Sequence, residues 1–177
     1  MLSYLVVLTS CVSTTKLIKE RSTLSDNISL LNGIYENIAI DASDDPKSEH
    51  SLYVLLFKNF HQSNPYYNKD QDYEGKIRIN VISDEKIRVD YIVNDNVIKS
   101  KIFKGELNDN FFVVKRKWRL FGIPILLGVY DESKIAIGLE NDNYLLIRKG
   151  FYNIGGLVGF MANSNEDYIG VVFKLAE

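Results

Sequence analysis

Apolar and polar residues alternate along most of this chain with a period of two. In Lys76-Ile-Arg-Ile-Asn-Val81 the residues Ile77, Ile79 and Val81 share one face, while Lys76, Arg78 and Asn80 share the other. Lys86-Ile-Arg-Val-Asp-Tyr-Ile-Val93 repeats the pattern, with Ile87, Val89, Tyr91 and Val93 turned inward. Ser83-Asp84-Glu85 separates the two runs and reads as a turn. Asn-Asp-Asn occurs at 94–96, 108–110 and 141–143. These residue types tolerate left-handed backbone, which tight hairpins need. Further breaks are expected at Asp131-Glu132-Ser133-Lys134 and around Gly122 and Pro124. No amphipathic helical period appears between 83 and 143. The pattern predicts an all-β fold: an antiparallel up-and-down meander of roughly 8–10 strands closing into a barrel.

The N-terminus has a different character. Met1 to Leu8 is mostly apolar, and Leu8-Thr9-Ser10-Cys11 follows, with Cys11 the single cysteine of the chain. A lone cysteine forms no internal disulfide, and in an exported protein it would be a liability unless consumed. The run is too short to cross a membrane as a helix, which takes roughly 20 residues. An apolar residue, two small residues and a cysteine ending an apolar run resemble the lipobox of bacterial lipoproteins. That resemblance implies cleavage before Cys11 and lipidation of its thiol, with acyl chains anchoring the protein to a membrane. No Lys or Arg precedes Lys16, whereas such signals open on a basic stretch; this points to a translation start further upstream. Val12 stands where an Asp would resemble an inner-membrane retention signal. The resemblance therefore implies the cell envelope, at the outer membrane facing the periplasm. The expected organisation is a signal peptide at 1–10, a lipidated N-terminus and flexible tether at 11–27, and one barrel domain at 28–177.

Composition narrows the function classes. The chain has 177 residues with 21 basic and 23 acidic side chains, a formal net charge of -2, and 46% hydrophobic residues. A folded domain is expected, without the basic excess that nucleic-acid binding requires. Eleven Tyr and nine Phe fit half-buried strands. His50 and His61 have no partners at metal-ligand spacing, and no nucleophile elbow, phosphate loop or His-Glu-X-X-His motif occurs. Each Asn-Asp-Asn triplet has one carboxylate, too few for a calcium loop. Asp41, Asp44 and Asp45 read as a solvated loop. An enzyme is not expected, nor a catalytic residue, metal or cofactor.

Several residues are candidates for contact with a ligand or partner. Tyr66 and Tyr67 lie in the long connection Asn59 to Tyr73, and long structureless connections are often functional. Lys115, Arg116, Lys117, Trp118 and Arg119 are consecutive. Strand alternation puts Arg116 and Trp118 on the face of Phe112 and Val114, making Arg116 an edge position or an inward charge. Leu120 to Leu127 reads as two strand ends around a Gly/Pro break, and Gly155 to Met161 as a glycine-eased strand. Asn32-Gly33-Ile34-Tyr35 at the start of the domain, with Arg148 in a late strand, resembles the lipocalin pattern. There Gly-X-Trp opens the barrel and a late Arg packs across the ring. The resemblance implies a Tyr35–Arg148 pair and an interior, lined by residues such as Tyr91, that holds a hydrophobic molecule. Two functions follow as expectations: a non-catalytic interaction or structural lipoprotein that meets another envelope protein, and a lipocalin-like carrier of a lipid or other hydrophobic molecule.

Overall fold

A computed structural model describes residues 17–18, 22–24, 27–40, 50–58, 74–114, 117–123, 127–141, 144–157 and 163–176. The fold is all-β, as the alternation requires. The strands are β1 (Gly33–Glu36), β2 (Lys76–Ser83), β3 (Lys86–Val93), β4 (Asn96–Asn108), β5 (Phe111–Val114), β6 (Lys117–Ile123), β7 (Leu127–Asn141), β8 (Tyr144–Leu157) and β9 (Asn163–Lys174). They pair antiparallel in the order β1-β2-β3-β4-β5-β7-β8-β9, and β6 pairs β7 beside β5. β5 meets Ala136 and Ile137 of β7, while β6 meets Leu127 to Ser133. The two short strands thus form one stave of an eight-stave wall. β1 meets β9 through the Tyr35–Leu175 bridge, and the Ala176 amide donates to the Ile34 carbonyl at 2.7 Å. The barrel is nearly closed.

The turns explain the register. Asn94 and Asp95 have φ of 49° and 63°, and Asp109 and Asn110 have 46° and 64°. Paired positive φ at both loop positions is the type I′ geometry that matches strand twist. The first two Asn-Asp-Asn triplets are therefore hairpin turns. The third falls between β7 and β8, with Asp142 and Asn143 outside the described residues. The break expected at Asp131–Lys134 does not occur. These four residues lie inside β7 and pair with β8 at Asn153, Tyr152, Phe151 and Gly150. Ladder pairing on both sides of β7 overrides their weak strand preference.

Inward residues from every stave make one core. It includes Ile77, Ile79, Ile87, Val89, Phe103, Phe112, Ile137, Leu145, Ile147, Val171 and Phe173. A 3₁₀ turn at Ile28–Leu31 brings Ile28 and Leu31 into that core, and Leu24 joins it. A second apolar cluster lies on the outside of the wall, where Leu17 covers Phe111, Val113, Ala136 and Leu146.

The stretch 11–27, expected as a free tether, is fastened at its described positions. Leu17 and Leu24 are buried. Ser22 Oγ donates to the Leu139 carbonyl at 3.1 Å and accepts from the Leu139 amide at 2.9 Å. The Thr23 amide donates to the same carbonyl at 2.7 Å. The few apolar side chains in this polar stretch have an apolar surface to cover, and burying each contributes about 2 kcal/mol.

One element was not visible in the alternation. Leu52–Phe57 is a short helix, α1, capped by Ser51 Oγ, which accepts from the Val54 amide at 3.3 Å. Its sequence, Leu-Tyr-Val-Leu-Leu-Phe, is a short apolar run without period, and such a run reads equally as a strand.

Candidate functional site

α1 packs against the barrel core, and charged and aromatic side chains gather around it. Its N-terminus is pinned by Asn37, just past β1. The Leu52 amide donates to the Asn37 carbonyl at 2.9 Å, and the Tyr53 amide donates to Asn37 Oδ1 at 2.8 Å. Ser51 Oγ also reaches Asn37 Oδ1, at 3.3 Å. Asn37 and Ser51 are both buried, so each polar atom that the helix start leaves over is answered locally.

The C-terminal end is held by two lysines from separate staves. Lys149 Nζ, on β8, donates to the Leu55 carbonyl at 2.8 Å. Lys101 Nζ, on β4, donates to the Leu56 carbonyl at 2.5 Å. These carbonyls have no partner within so short a helix. Lys149 is only 3% exposed, which is rare for a lysine, and its helix-carbonyl contact helps to offset its desolvation. Leu52, Leu55 and Leu56 point the other way, into the core.

Rings complete the group. Tyr53 stacks on Phe57 at 5.2 Å and meets Tyr91 at 4.4 Å between centroids. Lys99 Nζ lies 5.5 Å from the centres of both Tyr53 and Phe57, and Lys101 Nζ lies 4.4 Å from that of Phe103. Tyr91 donates its hydroxyl to the Glu74 carbonyl. These ammonium groups, rings and helix carbonyls hold α1 in position. Among the described residues no group of His, Cys, Asp and Glu is placed to hold a metal ion.

The residues singled out from sequence divide. Tyr35 and Tyr91 belong to the core, and Tyr91 is part of the α1 group. Arg148 is not with Tyr35. It occupies the outer face of β8, opposite Gly170, and its Nη1 donates to the Leu17 carbonyl at 3.2 Å. Tyr35 faces inward and donates to the Leu31 carbonyl at 3.1 Å. Ring and guanidinium therefore stand on opposite sides of the wall, because Arg148 differs in parity from its inward neighbours Ile147 and Lys149. The lipocalin-like pairing is corrected accordingly: Arg148 fastens the N-terminal segment. Trp118 lies in β6 opposite Glu132, and its side chain is outside what is described. Cys11, Tyr66, Tyr67 and Arg116 lie outside the described residues. Sequence reasoning missed Lys101, Lys149 and α1. The available signal was Lys149 itself, a charge at an inward parity position after Leu145 and Ile147.

Burial pushes the Tyr35 phenol up to about 12. Below its unfolded value of 10.0 this contribution to stability is complete. Above it the unfolded chain releases its proton first, so stability is lost between pH 10 and about 12, by about 2–3 kcal/mol for a shift of that size. Tyr35→Phe isolates the effect from the other tyrosines. At neutral pH the variant is expected to lose about 1 kcal/mol with the hydrogen bond. Urea titrations between pH 9 and 12 should show that gap shrink and then reverse. A gap independent of pH would place the hydroxyl in contact with water.

No family model, curated protein or solved structure matches the chain. Among the described residues no helix is long and apolar enough to cross a membrane.

Proposed function

We propose that this protein is a lipid-anchored, non-catalytic interaction protein of the cell envelope, with a filled barrel serving as a platform for another envelope protein. The packing of α1 inside the wall supports this reading. Leu52, Leu55 and Leu56 of α1 pack among inward side chains from all around the wall, and Lys101 and Lys149 tie the helix in place. A barrel that carries a hydrophobic molecule needs a cavity of several hundred Å³ for it. Here the chain's own side chains occupy the interior at the level of α1.

The anchor follows from the lipobox-like Leu8–Cys11 and would sit on a short lead. Cys11 is six residues before Leu17, which is buried on the outer wall. Six residues span at most about 20 Å. A lipid on Cys11 would therefore hold the barrel close to the membrane surface, with the face that carries Leu17 and Arg148 toward it.

Two measurements test the reading separately. Cys11→Ser should abolish incorporation of labelled palmitate and release the protein from membranes. A wild type that never takes up label removes the anchor and the localisation. Native mass spectrometry of the protein, gently extracted from its own envelope, should show no hydrophobic molecule beyond the covalent lipid. One equivalent of a bound lipid, lost on organic extraction, would replace the platform with a carrier.

A further inference from the structure

β4 is paired unequally along its two sides. On one side Asn96 to Lys104 pairs with β3, with a register shift at Ile98. On the other, β5 pairs only with Gly105 to Asn108. The next strand of the wall, β6, pairs β7, and among the described residues no pairing joins β4 to β6. Among the described residues, no strand therefore pairs with the second side of β4 from Ser100 to Lys104, which forms a strand edge.

Its main-chain groups can be assigned to sides. The Gly105 amide donates to the Glu85 carbonyl, just before β3, at 2.9 Å. In an antiparallel ladder consecutive residues address opposite neighbours. Phe103 and Lys101 thus address β3, while the N–H and C=O of Ser100, Ile102 and Lys104 face the open side. The side chains there are apolar and exposed: Val97 is 50%, Ile98 63% and Ile102 57% accessible.

The charge of the edge has one sign. Asn96 to Gly105 contains Lys99, Lys101 and Lys104 and no carboxylate. Lys86 lies opposite Lys104, and Arg88 opposite Ile102. Asp90, opposite Ser100, is buried and engaged by Ser100 Oγ at 2.6 Å and Arg88 Nε at 3.5 Å. Glu106 falls beyond, where β5 already pairs.

We propose that this edge receives an extended, acidic segment of a partner protein as an added strand. Main-chain hydrogen bonds to Ser100, Ile102 and Lys104 supply the pairing, Ile98 and Ile102 supply apolar contact, and Lys104, with Lys86 opposite it, selects for carboxylates. A second copy of this chain is the wrong occupant, because pairing two such edges brings together lysine-bearing strands without a carboxylate between them. The proposal deepens the platform reading and rests on it.

Hydrogen exchange on the full chain, read residue by residue by NMR, tests it. In the protein alone, the amides of Ser100, Ile102 and Lys104 should exchange at least about a hundredfold faster than those of Lys101 and Phe103, which the ladder holds. A twelve-residue peptide of alternating Val and Glu should slow the three edge amides at least about tenfold, and its Val–Lys counterpart should not. Ile102→Pro removes one outward N–H that no strand uses, so the fold should survive and the peptide effect should vanish. Ile102→Glu keeps the N–H and should weaken binding of the acidic peptide at least about tenfold by like charge.

Edge amides already slow in the protein alone would overturn the proposal. So would equal protection by both peptides, protection by neither, or failure of Ile102→Pro to fold. If any of these held while the native mass carried no lipid, the edge would fall and the platform reading would stand. A bound lipid would remove the platform itself.

Discussion

Leu55→Ala is expected to lower the stability of the barrel by about 2–5 kcal/mol, a large share of what a domain of this size has. Leu55 is 1% exposed and belongs to the interior core. Deleting its branch loses transfer energy and leaves a void bounded by several staves. The helix has little else to keep it folded. Six residues are far below the length at which a helix stands alone, so α1 exists because the barrel holds it. The cost also reaches Lys149, whose buried ammonium donates to the Leu55 carbonyl. If the helix loosens, that charge loses an acceptor in a place where water is scarce. A urea titration should show a lower midpoint with an unchanged slope. A loss under about 1 kcal/mol would mean the interior collapses around the missing group without strain, the behaviour of a pliable cavity. That result would favour a carrier over a filled platform.

The features readable from sequence were those with a strict local cause. Ile77, Ile79 and Val81 alternate with charged or polar residues, and β2 follows. Asn94-Asp95 and Asp109-Asn110 are suited to left-handed backbone, and both turn where expected. What escaped depends on contacts far apart in sequence. α1 is defined by Asn37 at one end and by Lys101 and Lys149 at the other, partners 14 to 94 residues away from the residues they hold. Asp131 to Lys134 looks like a turn by composition, yet it is strand because β8 pairs with all four residues and β6 with Asp131 to Ser133. The Tyr35–Arg148 expectation failed on parity. Tyr35 does open the barrel and lie in its core, but Arg148 is one residue out of phase with the inward row of β8.

The same parity gives Arg148 its actual place. Gly170 opposite it has no side chain, and the guanidinium lies over that gap, about 3.7 Å from where a Cβ would be. There it reaches the Leu17 carbonyl. The residue expected to mark a ligand-binding interior instead ties the N-terminal segment to the outer wall. Together with the α1 clamp, this gives the barrel two devices that use cations to fasten backbone carbonyls.

Gly105→Ala is expected to cost about 3 kcal/mol, the upper end for overpacking a core position. Gly105 is the point at which β4 passes from β3 to β5: Lys104 still pairs with Lys86, and Gly105 pairs with Val114. A Cβ there would lie 2.5 Å from the Val113 carbonyl oxygen and 2.5 Å from the edge of the Phe112 ring. The ring has no room to swing away, since Phe112 is wholly buried in the core. The carbonyl belongs to a strand whose pairing would have to shift. The two clashes can be separated. Phe112→Leu in the Gly105→Ala background should recover only the ring's part of the loss, leaving the backbone part, and a double-mutant cycle by urea titration measures the division. Full recovery would show that β5 moves freely past β4. A small loss, under about 1 kcal/mol, would say the same of the whole seam. The seam ends where the open edge begins, so its rigidity matters beyond stability. A strand added along Ser100 to Lys104 needs a fixed template, and Gly105, closed over by Phe112, is what fixes its lower end.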